Sequence, residues 1–502
     1  MTDNDFDPIG NILNDKYIVL CYIGCGTFSS VWLGYDIEKN FYNTLKILPA
    51  KNLEYGDKEL YVLTQISSHD NPYLNKLLDN FIFKFEENEY NCLVFNLMAG
   101  SLQDVLNMDK YKNGLPTQIA KIMMKQILQG LQILHEKCNI IHADIKPENI
   151  LLKGQSLKIT KFIQLLESAT LYKKTCNIIQ NYKISHQKKD MQIIKKNIRN
   201  IITNIYTDFD NEILSSDKMC DILNIFDDNN STNDDGDENS NTYSNDSTEK
   251  SSYTTISDRT SDHGEIDIYL DNISNVSSSF SDRFLCEKNC TMNSYHNDNS
   301  DSNDSCFNDE NENFIDDNFI LINPQICVAD FGNCYNIDNI TRGDLQTRYY
   351  RSPEIILRLD ITCACDIWAL GCLFYELLTG KLLFKPSKTK FINRDKSHIY
   401  EIHRKICIIP EYIVNKSRKK YIFFRKDGTI KNLYCFVSSP FSLKLQKILL
   451  NNNNCSETII CNDPFLTHTH TKIISLLQSM LDPDYNLRYT AQQCLNHILF
   501  DD

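Results

Sequence analysis

The chain has 502 residues, 42% of them hydrophobic, and a net charge of −14, which allows at least one substantial core and two or three average domains. No apolar run approaches the roughly 18 to 20 residues of a bilayer span, and the acidic start MTDNDFDPIG lacks the features of a secretory signal; a soluble intracellular protein is expected, cytoplasmic or nuclear. The 19 cysteines form no Cys-x2-Cys pairs, the closest spacings being Cys363-x-Cys365, Cys21/Cys25 and Cys286/Cys290, which predicts reduced thiols rather than disulfides or zinc.

Two alternating runs, KYIVLCYI (16–23) and SVWLGYDI (30–37), are joined through IGCGTFSSVWL, which predicts a β-hairpin with Gly24 and Gly26 in its turn. Glycines there let the backbone approach phosphates. Ile23, Gly24, Cys25, Gly26, Thr27, Phe28, Ser29, Ser30 and Val31 therefore form a candidate nucleotide loop, with Val31 against the base. A hairpin that uses glycine only to turn has the same pattern. Cys25 reads as a passive small residue, an oxidisable thiol being the alternative. In the next strand, NTLKIL, Lys46 is suited to grip the α and β phosphates. In the helix beyond, Glu59 lies beside Leu60, Leu63 and Ile66 and can turn inward to pair with Lys46; Glu54 competes for that role.

The most specific signal is ILHEKCNIIHADIKPENILL, residues 133–152. Asp144 can accept a substrate hydroxyl's proton, Lys146 can steady a transferring phosphoryl group, and Asn149 can ligate magnesium. With these three chemistries at fixed offsets the chain resembles a eukaryotic-type protein kinase over both of its folded stretches. The expected Asp-Phe-Gly metal motif has a false candidate in Lys161-Phe162-Ile163. Beyond it Ile194, Ile198, Ile201, Ile202 and Ile205 fall at i, i+4, i+7, i+8 and i+11, with Lys188, Lys189, Lys195, Lys196 and Arg199 nearby. This predicts a basic amphipathic helix that docks on the folded body, contacts an acidic partner or membrane surface, or neutralises the acidic segment C-terminal to it. In that segment, residues 227–317 hold 23 Asp/Glu against 4 Lys/Arg, which leaves the rest of the chain at +5. Its Asp-, Asn- and Ser-rich composition predicts disorder. Asp330-Phe331-Gly332 is the metal motif, because LQTRYYRSPEII and CDIWALGCLFYELLTG lie downstream of it and Asp330 precedes Glu354 by 24 positions, a spacing similar to that of kinase activation segments.

An insertion before Asp-Phe-Gly, the loop GTFSSVWL, the GLP ahead of the helix leading to HADIKPENIL, and the stretches DFGNC, QTRYYRSPE and YIFFRKDGTIKNL (421–433) narrow the resemblance to the SR-protein kinases. That resemblance implies that Asp366 anchors the catalytic loop and that Glu354 pairs structurally with Arg488. Two features depart from it. Position 143 is Ala, where many kinases carry an arginine that receives an activation-segment phosphate, so an enzyme competent without phosphorylation at Thr341 or Thr347 is expected. Residues 385–405 hold 7 Lys/Arg against 2 Asp/Glu where SR-protein kinases have acidic residues, and a basic surface repels an Arg-Ser repeat.

The expectation is an α+β, two-lobed protein kinase fold with a long, largely disordered insertion in the C-lobe. Its parts are a tail at 1–15, an N-lobe at 16–98, a C-lobe at 99–160 and 319–502, and an insertion at 161–318 made of a basic helix and an acidic segment. The resemblance implies ATP between the lobes, its base near Phe95 to Met98 and its phosphates under residues 24–31, with Mg2+ on Asn149 and Asp330. The implied reaction is γ-phosphoryl transfer to a protein serine or threonine. The alternatives are a cyclin-dependent or dual-specificity-like kinase, and a pseudokinase scaffold; the scaffold's expected sign, loss of Lys46, Asp144 or Asp330, is absent. A monomer with protein substrates is expected, without direct nucleic-acid binding. The acidic insertion would recruit a basic partner or fold over 385–405. His468-x-His470 is read as a solvated loop rather than a metal site.

Overall fold

The computed structural model describes residues 6–26, 29–49, 53–213, 323–339, 345–390, 392–431, 441–452 and 464–501. The acidic segment 227–317, Thr341, and Thr27 and Phe28 of the glycine loop lie outside these residues. Pro8–Ile205 and Thr291–Asp502 form one compact unit; the other, Met1–Asp7 with Tyr206–Cys290, is described only at Phe6, Asp7 and the end of one helix.

Alternating β-branched and aromatic residues build an antiparallel sheet from β1 (Ile12–Leu13), β2 (Tyr17–Cys25), β3 (Ser30–Asp36), β4 (Phe41–Pro49), β5 (Leu77–Phe85) and β6 (Asn88–Asn96), in the order β1-β2-β3-β4-β6-β5. Helix α1 (Leu53–Ser67) packs against the β4, β5 and β6 side and buries Val62, Leu63 and Ile66. Next come β7 (Met98–Ser101), α2 (Leu102–Leu106) with its reciprocal Ser101/Asp104 cap, and α3 (Thr117–Gln132), which buries Ile119, Met123 and Ile127 along one face. The short strands β8 (Ile140–Ile141) and β9 (Ile150–Lys153) bracket the loop that carries Asp144 and Asn149.

The chain leaves the C-lobe at the end of β9. Ser156 caps α4 (Leu157–Ser168) by accepting from the Ile159 N–H, so the helical insertion starts before residue 161, and Lys161-Phe162-Ile163 lies inside a helix with Phe162 and Ile163 buried. Two further helices follow, α5 (Thr170–Ser185) and α6 (Lys188–Ile213), where the sequence pattern pointed to one. All five isoleucines from Ile194 to Ile205 are buried. Of the readings of the basic helix, docking on the folded body is seen directly, while the acidic segment it could neutralise lies outside the described residues. The Tyr42 hydroxyl donates to Glu167 at 2.8 Å, the Tyr182 hydroxyl to Asp15 at 2.7 Å, and Arg199 Nε to the Ile9 carbonyl at 3.0 Å. This cover explains why Tyr17 to Cys21 are buried without a break, although a one-sided sheet would alternate.

The chain returns beside its point of exit. β10 (Ile326–Val328) pairs with β9 in the register Ile326 opposite Leu152, in a three-stranded sheet β10-β9-β7, and β11 (Tyr335–Asn336) pairs with β8. The insertion thus starts and ends on adjacent strands and leaves the core between them intact. The remaining helices are α7 (Pro353–Ile356), α8 (Ala364–Thr379), α9 (Arg394–Lys405), α10 (Glu411–Lys416), α11 (Lys420–Phe423), α12 (Phe441–Asn452), α13 (Pro464–Met480) and α14 (Ala491–Leu495). α8 is buried on nearly every side, with Trp368 stacked on Phe384 at 5.8 Å. His468 and His470 stand in α13, not in a loop, and His470 is buried on the same helical face as Ile473, Ile474 and Leu477. The described cysteines are all free, and no described helix is long and apolar enough to cross a membrane.

Candidate active site

The loop between β8 and β9 is folded around one buried carboxylate. Asp366, in the first turn of α8, accepts from the backbone N–H groups of His142 at 2.7 Å and Ala143 at 2.9 Å, and lies 2.9 Å from His135 Nε2. Those bonds hold Ala143 at φ 62°, a left-handed conformation that costs a residue with a Cβ free energy. The reversal presents Asp144. Its Oδ1 accepts from the Thr347 hydroxyl at 2.7 Å and the Thr347 N–H at 3.2 Å, and its Oδ2 lies 3.1 Å from Lys146 Nζ. Asn149 Nδ2 donates to the Asp144 carbonyl at 2.8 Å and to Oδ2 at 3.3 Å. Burial pulls the Lys146 pKa down, but Asp144 and Glu148 outweigh it and hold the ammonium above the ordinary lysine range.

A second constellation joins the sheet, α1 and the segment after β10. Strand register sets Val31 opposite Lys46, and Lys46 Nζ donates to both Glu59 oxygens and to Asp330 Oδ1, each at 2.8 Å. Burial opposes the Lys46 charge, but Asp330 and Glu59 more than compensate and its pKa is raised. Lys46 holds the Asp330 carboxyl below the usual range, whereas burial raises that of Glu59. The Glu54 side chain lies outside the described ones. Asp330 sits at φ 63° with 40% of its side chain exposed, while the next residue, Phe331, is buried edge-on to His142 at 5.7 Å. Since His142 Nε2 lies 3.1 Å from the Ala329 carbonyl, the two constellations share a wall.

The glycine turn joins the strands next to Lys46. Ile23, Gly24 and Cys25 end β2 and Ser30 and Val31 begin β3, with Gly24 opposite Val31 and Cys25 opposite Ser30; the Gly26 N–H closes the turn on the Ser29 carbonyl at 2.8 Å. A Cβ built on Gly24 would meet no atom within 4 Å, so that stretch of backbone is open to a close-approaching group. Cys25 is exposed.

The arrangement offers a carboxylate that already accepts a hydrogen bond from a hydroxyl, a cation beside it at Lys146 and another on Asp330 at Lys46, and oxygens at Asp330 and Asn149 that suit a hard cation such as Mg2+. Among the described residues no three His, Cys, Asp or Glu side chains cluster as metal ligands. Glu354 and Arg488 form a fully buried pair at 2.7 Å. Sequence reasoning weighed Thr347 only as a phosphate acceptor and missed that its hydroxyl is tied to Asp144. Its place in QTRYYRSPE was visible, but no spacing rule brings it beside a residue 203 positions earlier.

The sequence profile of the family described as "Protein kinase domain" matches residues 17–163 and 314–500. The putative serine/threonine-protein kinase L205 of Acanthamoeba polyphaga mimivirus is 33% identical over 88% of this chain and 81% of its own. The serine/threonine-protein kinase SRPK of Physarum polycephalum is 26% identical over 84% of this chain and 74% of its own, and SRSF protein kinase 3 of Homo sapiens is 25% identical over 85% and 78%. Kinases of this family generally use ATP and Mg2+ and act on protein substrates. The chain belongs to the protein kinase family and is a serine/threonine-protein kinase whose relatives include the SRSF protein kinases.

Proposed function

We propose that the chain transfers the γ-phosphoryl group of ATP to a protein serine or threonine hydroxyl through Asp144, Lys146, Asn149, Lys46, Glu59 and Asp330. The observation that supports this most is the Thr347 hydroxyl on Asp144 Oδ1 at 2.7 Å, an alcohol held as an acceptor would be. Asp144 takes the proton of the incoming hydroxyl while Lys146, within reach of both, offsets the negative charge that builds on the transferring group. Lys46, kept charged and oriented by Glu59, holds the α and β phosphates. The described residues of the turn from Ile23 to Val31 cover them, and Phe95 to Met98 receive the base. Mg2+ would be held by Asp330 and Asn149 and would screen charge between the phosphates.

The test is phosphate transfer by the purified chain with ATP and Mg2+, beside Asp144→Asn. Loss of about 10²- to 10⁴-fold in kcat, with nucleotide binding retained, is expected. Undiminished transfer by Asp144→Asn would overturn the assignment of the base.

A further inference from the structure

The charges beside the activation segment are unevenly distributed. Residues 385–405 hold 7 Lys/Arg against 2 Asp/Glu, and residues 416–431 hold another 7 against 1. The fold brings the two runs into one face. Lys419 Nζ pairs with Asp395 of α9 at 2.7 Å, the His403 ring lies 6.0 Å from that of Phe424, and the Ile409 N–H donates to His403 Nε2 at 3.3 Å. The three carboxylates of the two runs are engaged within the face, and Glu411 of α10, between the runs, accepts from Asn415 Nδ2 at 3.5 Å. Asp395 lies between Arg348 and Lys419, which outweigh its burial and hold its pKa at about 2. Glu401 accepts from Lys405 Nζ at 2.6 Å and the Lys385 N–H at 3.1 Å. Asp427 accepts from the Thr429 hydroxyl at 2.6 Å and the Thr429 N–H at 3.0 Å.

An ordinary solvated surface intersperses its lysines with partners, as Lys76–Asp70, Lys84–Glu89 and Lys112–Asp109 do elsewhere on this chain. Here Lys385, Lys388, Lys416, Arg418, Arg425 and Lys426 are exposed on a face whose acids all have other partners. The face adjoins the catalytic centre: Arg348, which anchors Asp395, comes directly after Thr347.

We infer that the face formed by α9, α10, α11 and their loops docks an Asp/Glu-rich stretch of the protein substrate, so that acceptors within acidic sequence are preferred. This rests on the kinase reading above. A polypeptide is favoured over a nucleic acid because the face continues into the segment that lies on the catalytic base, where a protein acceptor must be held. Several like charges acting together raise the local concentration of an acidic partner and lower KM, without entering the chemical step.

The experiment uses the full chain and three serine peptides that share an acceptor sequence and carry an Asp/Glu, an Arg or an uncharged tail. A KM for the acidic-tailed peptide about tenfold below that of the uncharged one, with equal kcat and an advantage that fades at high salt, is expected. In the variant Lys385→Glu/Lys388→Glu/Lys416→Glu/Arg418→Glu the advantage should vanish while transfer to the uncharged peptide stays the same. Equal KM values, preference for the Arg tail, or an advantage that survives in the variant would overturn the inference. So would displacement of the acidic peptide by an RNA oligonucleotide at lower concentration than by polyglutamate. Fluorescence anisotropy of the acidic peptide reads docking without transfer: docking with no transfer counts against the kinase reading alone, and absent docking counts against this inference.

Discussion

Thr347 decides what Asp144 meets before a substrate arrives. Its hydroxyl and N–H both bond Asp144 Oδ1, and its Oγ1 also receives Lys146 Nζ at 3.3 Å. A negative group at this position would face the Asp144 carboxylate, and Ala143 offers no guanidinium to receive it. Thr347→Asp is therefore expected to lower kcat by about 10²-fold or more, whereas Thr347→Ser keeps most of it. A rise in activity on Thr347→Asp, measured as kcat on a fixed peptide, would overturn the expectation of an enzyme competent without phosphorylation here. Elsewhere in the C-lobe Tyr350 donates its hydroxyl to Glu376 at 2.6 Å. Burial raises the Glu376 pKa to about 7, with the Tyr350 bond opposing the shift. The folded chain therefore keeps this proton while the unfolded chain has lost it. That stabilisation is full below about pH 4.5 and fades as pH rises through about 7, a loss on the order of 3 kcal/mol over that whole range. Urea unfolding at pH 5.5 and pH 8 should show it, and Glu376→Gln, which can still accept from Tyr350, should flatten that part of the difference. An unchanged difference would place the titration on another group.

Elements were legible in proportion to how cleanly their burial follows a period. The face of α1 around Glu59 and the isoleucine stripe of α6 could be read because one face is apolar and the other polar, whereas the hairpin was legible from its glycines and flanking β-type residues, its first strand being buried on both faces. α5 was hidden for the opposite reason. α5 buries Tyr172, Thr175, Ile179 and Tyr182, three of which carry hydroxyls, so a hydrophobicity count scores its inner face as half polar. Residue types alone also cannot show that Lys161-Phe162-Ile163 belongs to a helix docked on the sheet. The contact between α6 and the first strands is close: Gly10 lies at φ +75°, and a Cβ there would stand 2.7 Å from the Lys195 carbonyl. Gly10→Ala and Ile198→Ala should therefore both loosen α6, the latter by about 2 to 5 kcal/mol of local stability. Hydrogen exchange should quicken in α6 and β2 while α8 keeps its protection. Equal quickening throughout would mean that α6 does not open on its own.

At the scale of the whole molecule the kinase reading came from motifs that span more than 300 residues, and the structure adds how they are brought together. Lys46 comes from the sheet, Glu59 from α1 and Asp330 from the segment after β10, so the ion triad joins elements distant in sequence. No periodicity in the sequence shows this closure; the pairing of β10 with β9, with the Ala329 N–H on the Asn149 carbonyl, brings Asp330 back beside the catalytic loop after the insertion. A ligand that binds across such a joint stabilises the folded state by the linkage relation, about 2.7 kcal/mol at a hundred times its Kd. ATP with Mg2+ should therefore raise the Tm more than ATP alone. If Asp330 is the principal metal ligand, Asp330→Asn should remove the Mg2+-dependent part of that rise and keep the part due to ATP alone. Asp144→Asn, which removes the base and leaves the Asn149 bond to the residue 144 carbonyl in place, should keep both parts. A full Mg2+-dependent rise in Asp330→Asn would move the metal to other oxygens and leave Asp330 as the partner of Lys46 alone.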